Sequence, residues 1–292
     1  MRRRDFLGAA GLALTAASCG SESSTPAAST PAGKFTAELG LVLYSLRYLA
    51  SKDLPGTLKL AADLGFRKVE TGNLYRLSPE DFRKLLDDNG LTTPSMGASY
   101  KDLDTRLDEV AADAHALGAN YVVCSTIPHS AKHLTAEDVK SAAETLNRWG
   151  DRLASQHLKL CYHIHGTEFD PSPDGTQFDT LLKLTDPKFA NYEMDIFWVV
   201  YGFQDPADFL KLFPGRFPLL HVKDTRPGMT FGLTPADVAE DDSVPLGTGT
   251  VDVKAALLAG QEYGVEHFFL EEEAKDALPQ IRQSLEYIKT LR

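Results

Sequence analysis

The segment Leu158-Lys-Leu-Cys-Tyr-His-Ile-His-Gly-Thr-Glu-Phe169 carries two imidazoles two residues apart and a carboxylate three residues further on. An extended strand alternates its side chains, so Cys161, His163 and His165 share one face while Leu160, Tyr162 and Ile164 share the other. Imidazoles on one side and apolar bulk on the other suit a strand that packs its outer face and opens its inner face onto a site. Glu168 falls beyond the strand, in a loop. Asp195, His221 with Lys223, and Glu271 stand in three later apolar runs, and earlier runs add Tyr44, Arg47 and Glu70. Like charges brought together repel, and desolvating them is costly unless a cation joins them, so convergence of these groups would point to a divalent metal. Two or three carboxylates with one histidine suit Mn²⁺, Mg²⁺, Co²⁺ or Fe²⁺ better than a thiolate-rich zinc site does, and Zn²⁺ also accepts this set.

Short apolar runs alternate with helical patterns from Leu39 onward. Strands are predicted over Leu39–Arg47, Lys68–Thr71, Leu91–Ala98, Asn120–Thr126, around Leu158–His165, Asn191–Trp198, Phe217–Asp224 and Glu266–Glu273. Helices are predicted between them. Gly65, Gly90 and Gly118 mark C-termini, and Ser78-Pro-Glu-Asp81 and Thr135-Ala-Glu-Asp138 mark N-termini. Eight such units in one chain of this length are the pattern of a (β/α)₈ TIM barrel, in which functional side chains gather at the C-terminal strand ends. No Gly-x-Gly-x-x-Gly follows the first strand, which removes the usual argument for a dinucleotide. Gly247-Thr-Gly249 reads as a turn, with phosphate approach as the alternative, and Tyr100–Arg106 reads as a solvated charged loop.

The N-terminal residues belong to a different problem. Arg3-Arg4-Asp5-Phe6-Leu7, a small-residue apolar run from Gly8 to Ala17 and then Ser18-Cys19 form a twin-arginine, lipoprotein-type signal over residues 1–18. The run is too short for a stable bilayer span. Cys19 is then the expected lipidated residue, and simple cleavage to a soluble periplasmic protein is the alternative. Residues 19–34, rich in Ser, Thr, Ala and Pro, read as a disordered tether, leaving 35–292 as one folded domain. The expected location is outside the cytoplasm, with membrane attachment through Cys19 alone. The net charge of −11 becomes −13 once the three arginines and one aspartate of the signal are removed, which argues against a nucleic-acid partner. Cys124 and Cys161 lie in apolar strand patterns as buried thiols, with a bridge between them open.

Tyr162-His-Ile-His-Gly-Thr-Glu-Phe169, Asp195-Ile-Phe-Trp198, Leu220-His-Val-Lys-Asp224, Leu246-Gly-Thr-Gly249 and Phe269-Leu-Glu-Glu-Glu273 resemble the sugar phosphate isomerase/epimerase family with xylose isomerase-like barrels. The resemblance runs through all eight strands and is strongest from the fifth. Its members include ketose epimerases, hydroxypyruvate isomerase, inosose dehydratase and 3-keto-glycoside-processing enzymes. It implies a metal held by Asp195, His221 and Glu271 with a fourth ligand from the fifth strand. There the chain departs from the epimerase pattern and resembles a His-x-His-x-x-Glu-Phe branch, which makes Glu168 the first candidate ligand, with His163 or His165 as alternatives.

These parts predict a divalent-metal-dependent isomerase or epimerase of a sugar or keto-sugar, working through an enediolate. His165, His163 or Glu271 would move the α-proton, and Lys223 or Arg47 would meet substrate anions or hydroxyls. Tyr44, Arg47, Glu70 and Trp198 are the expected substrate contacts, with Trp198 placed to stack on a sugar face. A lyase or hydratase acting on 3-keto sugars or 3-keto-glycosides is the alternative reaction. A carbohydrate-binding lipoprotein without catalysis is the alternative class.

Overall fold

The computed structural model of the protein describes residues 33–129, 133–173 and 175–292. The signal over residues 1–18, Cys19 and residues 20–32 of the expected tether lie outside the described residues.

Eight parallel strands make the barrel wall: β1 (Leu39–Val42), β2 (Val69–Glu70), β3 (Ser95–Gly97), β4 (Tyr121–Cys124), β5 (Lys159–His163), β6 (Ala190–Asp195), β7 (Leu219–Val222) and β8 (His267–Leu270). Each pairs with its neighbour in chain order, β8 pairs with β1, and parallel bridges Lys68–Thr92 and Thr71–Met96 join the β2 and β3 segments. The wall is thereby nearly closed. The main helices outside it are α1 (Leu54–Asp63), α2 (Pro79–Asp88), α3 (Leu107–Leu117), α4 (Ala136–Ala154), α5 (Gln177–Leu184), α6 (Pro206–Leu212), α7 (Val253–Tyr263) and α8 (Ala277–Thr290). Among the described residues no helix is long and apolar enough to cross a membrane.

Local chemistry sets the helix starts. Ser78 accepts from Asp81 N–H ahead of Pro79, and Thr135 with Asp138 closes a capping box at α4. Thr176 and Asp179 form a second box at α5. Gly118 and Gly264 end α3 and α7 in the left-handed conformation, at φ of 78° and 99°.

Side-chain parity along the strands separates two apolar layers. Leu160, Tyr162 and Ile164 join the large core between wall and helices. Cys161 joins Val42, Tyr121, Val123, Leu219 and Phe269 in a second cluster, the plug of the barrel below its mouth. Cys124 faces the outer core and Cys161 the plug, so the two buried thiols are free and the bridge left open by the sequence is not formed.

Several predicted strands stop early, and each stop moves site residues. β1 ends at Val42, after which Leu43–Leu46 forms a 3₁₀ turn and Arg47–Ala50 a helical turn. Tyr44 and Arg47 therefore ride on these two turns rather than on a strand. β6 ends at Asp195, whose carboxylate accepts from Phe197 N–H at 2.8 Å and starts the short helix Ile196–Tyr201 that carries Trp198. The charged stretch after β3 is a helical turn over Tyr100–Thr105 capped by Ser99, not a loop.

Candidate active site

At the C-terminal mouth the inward positions of β2 and β5–β8 stop being apolar. Above the plug lie Glu70, His163, Glu193, Asp195 and His221 on their strands, with His165, Lys223, Glu271 and Glu273 just past theirs. Register explains the convergence: Glu193 pairs with His163 on β5, Asp195 pairs with His221 on β7, and Glu271 N–H donates to the carbonyl of Val222. The cavity there holds about 430 Å³.

His221 is the hub. Its Nε2 lies 2.9 Å from Glu70 Oε1 and 3.3 Å from Glu193 Oε1, and its Nδ1 lies 3.2 Å from Glu271 Oε2. His163 Nδ1 lies 2.8 Å from Glu193 Oε2, and Ser95 Oγ donates to Glu70 Oε2 at 2.5 Å. The rings of His165, His163 and His221 follow one another at centroid spacings of 4.7 and 4.8 Å, and Trp198 closes the row 5.3 Å from His165. Lys223 is fully buried, with Nζ 2.6 Å from Glu273 Oε1, 3.8 Å from Glu271 Oε2 and 4.0 Å from Asp195 Oδ2. It also sits 4.6 Å from the Phe197 ring centroid.

This electrostatic balance is unequal. Five carboxylates (Glu70, Glu193, Asp195, Glu271 and Glu273) face one permanent cation, Lys223, and an imidazole, His221. Burial pushes the Glu70 carboxyl up to about 7, with Glu193 adding to the shift. Burial likewise raises Asp195 above the usual carboxylate range. Glu271 moves the other way, because Lys223 and then His221 outweigh the burial that would raise it. His221 is raised against its own burial by Glu193 and Glu70. Burial, and then the neighbouring imidazole, lowers His163 and His165 to about 3, so both are neutral at physiological pH.

The cluster fits a divalent cation. Two buried carboxylate oxygens, Glu193 Oε1 and Asp195 Oδ2, accept no hydrogen bond. The ligand atoms of Asp195, His221 and Glu271 lie within 4.8 Å of one another, as do those of His163, Glu193 and His221. Nitrogen and carboxylate oxygen together suit Zn²⁺ and the harder first-row divalent ions. A bound cation would meet these two oxygens, which face His221 and Lys223 without a hydrogen bond, and offset the surplus negative charge.

The structure brings together most of the residues singled out in the sequence. Tyr44, Glu70, His163, His165, Trp198, His221 and Glu271 line the cavity, while Asp195 and Lys223 are buried in its wall. Two residues lie apart. Glu168 is absent from both ligand groups: Tyr162 OH donates to its Oε1, and His165 N–H donates to its Oε2 at 2.8 Å. The carboxylate fell beyond the strand, and the 3₁₀ turn Thr167–Phe169 carries it back beside Tyr162, where it braces the chain at His165. Arg47 is also absent from the cavity lining; its guanidinium donates to Glu240 Oε1 and to the carbonyl of Glu273, both at 2.6 Å.

Glu193 is the site residue that the sequence reading missed. It stands two residues before Asp195, which is the same-face spacing on a strand, so parity alone could have found it. The same rule separates Glu271 and Glu273, which face the site, from Glu272, which is bonded to Ser284 and Ser243 behind the wall.

The Gly247–Gly249 turn is closed by the protein itself. Asp224 accepts N–H groups from Thr225, Gly247, Gly249 and Val251 at 2.8–3.0 Å. A Cβ on Gly249 would stand 2.2 Å from Asp224 Oδ1, so the backbone approaches too closely for any side chain. A carboxylate already occupies the amides that a phosphate would need.

A family model described as xylose isomerase-like TIM barrel matches residues 58–291, most of the folded domain. The chain belongs to the xylose isomerase-like TIM barrel family. Within it, inosose dehydratase from Clostridium botulinum is 25% identical over 250 residues, covering 76% of this chain and 82% of that protein. The crystal structure of a sugar phosphate isomerase/epimerase from Parabacteroides distasonis is 26% identical with a TM-score of 0.69, over 89% of this chain and 95% of that one. The IOLI protein, solved with a binding zinc atom, shares the fold at 15% identity and a TM-score of 0.69, over 88% of this chain and 99% of that one.

Proposed function

We propose that the protein is a divalent-metal-dependent lyase that removes an α-proton from a keto-sugar or keto-cyclitol and expels a β-leaving group. The observation that carries this reading is the imidazole pair His163 and His165, with ring centroids 4.7 Å apart, beside the buried cluster of Asp195, His221 and Glu271. The relatives named inosose dehydratase support elimination over the isomerisation expected from the sequence.

Asp195, His221 and Glu271 would hold the metal, with Glu193 or His163 as the fourth group. A metal there would supply Lewis-acid polarisation of the substrate's carbonyl and adjacent hydroxyl oxygens. The solved relative with zinc supports such a site, and Mn²⁺ remains our first assignment from the ligand set.

The chain's own groups account for the proton movement. The Glu193 carboxylate can only accept, so a neutral His163 carries its proton on Nδ1 and leaves Nε2 as the acceptor. That nitrogen is our candidate for general base. The proton that His163 gains is the one available to the departing oxygen, and His165, neutral and held through its backbone N–H by the Glu168 brace, is the candidate to relay it. Lys223 holds Glu271 in its ionised form, and Trp198 offers a face on which a sugar ring can stack.

An isomerase or epimerase is the second reading, favoured by the 26% identity to the Parabacteroides distasonis protein. The twin-arginine pattern and Cys19 support an enzyme that meets its substrate outside the cytoplasm, lipid-anchored at Cys19. Mass spectrometry of the mature N-terminus tests that part, since an unlipidated N-terminus would refute the anchor. The reaction is tested by incubating the metal-loaded protein with keto-sugars and keto-cyclitols and following product mass.

A further inference from the structure

Arg47 lies outside the cavity lining, at a point where three segments of the barrel mouth meet. One nitrogen of its guanidinium, Nη2, donates at 2.6 Å to Glu240 Oε1 on the connection between β7 and α7. The same nitrogen donates at 2.6 Å to the carbonyl of Glu273, past the end of β8. Tyr48 OH donates to the same Glu240 oxygen at 2.8 Å. The guanidinium carbon stands 4.4 Å from the Tyr44 ring centroid and 4.5 Å from that of Tyr48. Two rings, a carboxylate and a main-chain carbonyl therefore fix a rigid, planar cation in one place.

Glu273 is the residue on which this contact bears. It stands beyond Leu270, the last residue of β8, so the barrel's ladder does not hold it. Its carbonyl accepts from Arg47, and its N–H reaches Ser243 Oγ at 3.5 Å. Its carboxylate takes Lys223 Nζ at 2.6 Å, whereas Glu271 Oε2 and Asp195 Oδ2 lie at 3.8 and 4.0 Å, beyond hydrogen-bond reach. An ammonium is a compact charge with three donors and no preferred plane, so any of the three carboxylates could capture it. Asp195 Oδ2, buried and without a hydrogen bond, is the acceptor that would gain most. Lys223 stays off it because Glu273 is held where it is.

We propose that Arg47 is a positioning residue: by fixing Glu273 it keeps Lys223 away from Asp195 and Glu271 and leaves their oxygens to the metal. This rests on the metal assignment above and adds a condition to it. With Glu273 released, the ammonium moves onto Asp195 Oδ2 and competes with the cation there. Glu240 belongs to the connection whose Met229, Phe231 and Val238 pack against Phe197, Trp198 and Tyr201. The seating of that connection and the placing of Lys223 thus pass through one guanidinium.

The test follows the Lys223 ammonium directly, by heteronuclear NMR of the metal-free protein with isotope-labelled lysine. Lys223 is fully buried, 4.6 Å from the Phe197 ring centroid, so slow exchange and ring current set its signal apart, and loss of the signal in Lys223→Met assigns it. Arg47→Ala should shift that signal. Millimolar guanidinium, which fits the vacated slot between the two tyrosine rings, should restore it where sodium does not. The same variant should weaken Mn²⁺ binding about tenfold in titration calorimetry, as loss of an outer partner does. In a Glu273→Ala background Arg47→Ala should add nothing to either effect, which a general loss of packing would not reproduce. Glu240→Ala removes an exposed carboxylate without touching the core and should move the signal the same way. A Lys223 signal unmoved in both Arg47→Ala and Glu240→Ala overturns the proposal, as does a moved signal with unchanged Mn²⁺ affinity. Failure of the wild type to bind Mn²⁺ at all refutes the metal reading itself, and the Lys223 signal still decides whether Arg47 sets its position.

Discussion

His163 Nδ1 stands 2.8 Å from Glu193 Oε2, across the registered pair that joins β5 to β6. This contact fixes which imidazole nitrogen is free to accept a proton. It also ties the base to the same carboxylate whose other oxygen has no hydrogen-bond partner.

Glu193→Ala should therefore injure both functions of that carboxylate. The turnover rate is expected to fall by about 10²- to 10³-fold, in the range of a lost acid–base group. Metal affinity should weaken by about 10- to 100-fold. Steady-state kinetics with metal titration reads both. Unchanged turnover at saturating metal would refute the assigned role.

Glu168→Gln separates bracing from ligation. A ligand lost at this position would strip the metal, whereas loss of a brace should leave metal content near that of the wild type and lower turnover. Elemental analysis of the purified variant decides between them, and a metal-free variant would restore Glu168 to the ligand set.

Glu272 gives a pH signature from behind the barrel wall. Burial pushes its carboxyl from the ordinary value up to about 8. Between about pH 4.5 and 8 the folded protein thus holds a proton that the unfolded chain releases, so this group's contribution to stability falls as pH rises through that window. The loss is on the order of a few kcal/mol. Glu272→Gln, neutral at every pH, should flatten that decline in urea midpoints measured from pH 5 to 8. An equal slope in both proteins would contradict the buried acid.

Metal binding should appear as stability. Free metal at about a hundred times its Kd should add about 2.7 kcal/mol to the native state and raise Tm, with a chelator reversing the shift. Asp195→Ala and His221→Ala should each abolish the metal-dependent rise in differential scanning calorimetry. A rise that survives in both places the ion elsewhere.

Much of the architecture was legible because the physics that sets it is local. Caps at Ser78 and Thr135, glycines at positions 65 and 118 and the parity of Cys161, His163 and His165 depend on neighbours in sequence. The eight-strand rhythm then followed from alternation. Strand ends were less legible: β1 stops at Val42 and β6 at Asp195 because turns begun there serve the mouth, and tertiary packing rather than propensity sets those points. The position of Glu168 was illegible for the same reason. Its spacing resembled a ligand motif, but Tyr162 on the outward face captured the carboxylate. Arg47 was drawn off by Glu240, almost two hundred residues away in sequence and invisible to any local pattern. Glu193 was the avoidable omission, since it needed no more than strand parity.

The most direct test of the central claim is the mass of the product formed from a 3-keto-glycoside by the metal-loaded enzyme in heavy water. The account predicts an unsaturated keto-sugar lighter than the substrate by its leaving group, released together with that group as the free alcohol. A product of unchanged composition that has gained solvent deuterium at the α-carbon would contradict it and establish isomerisation or epimerisation instead.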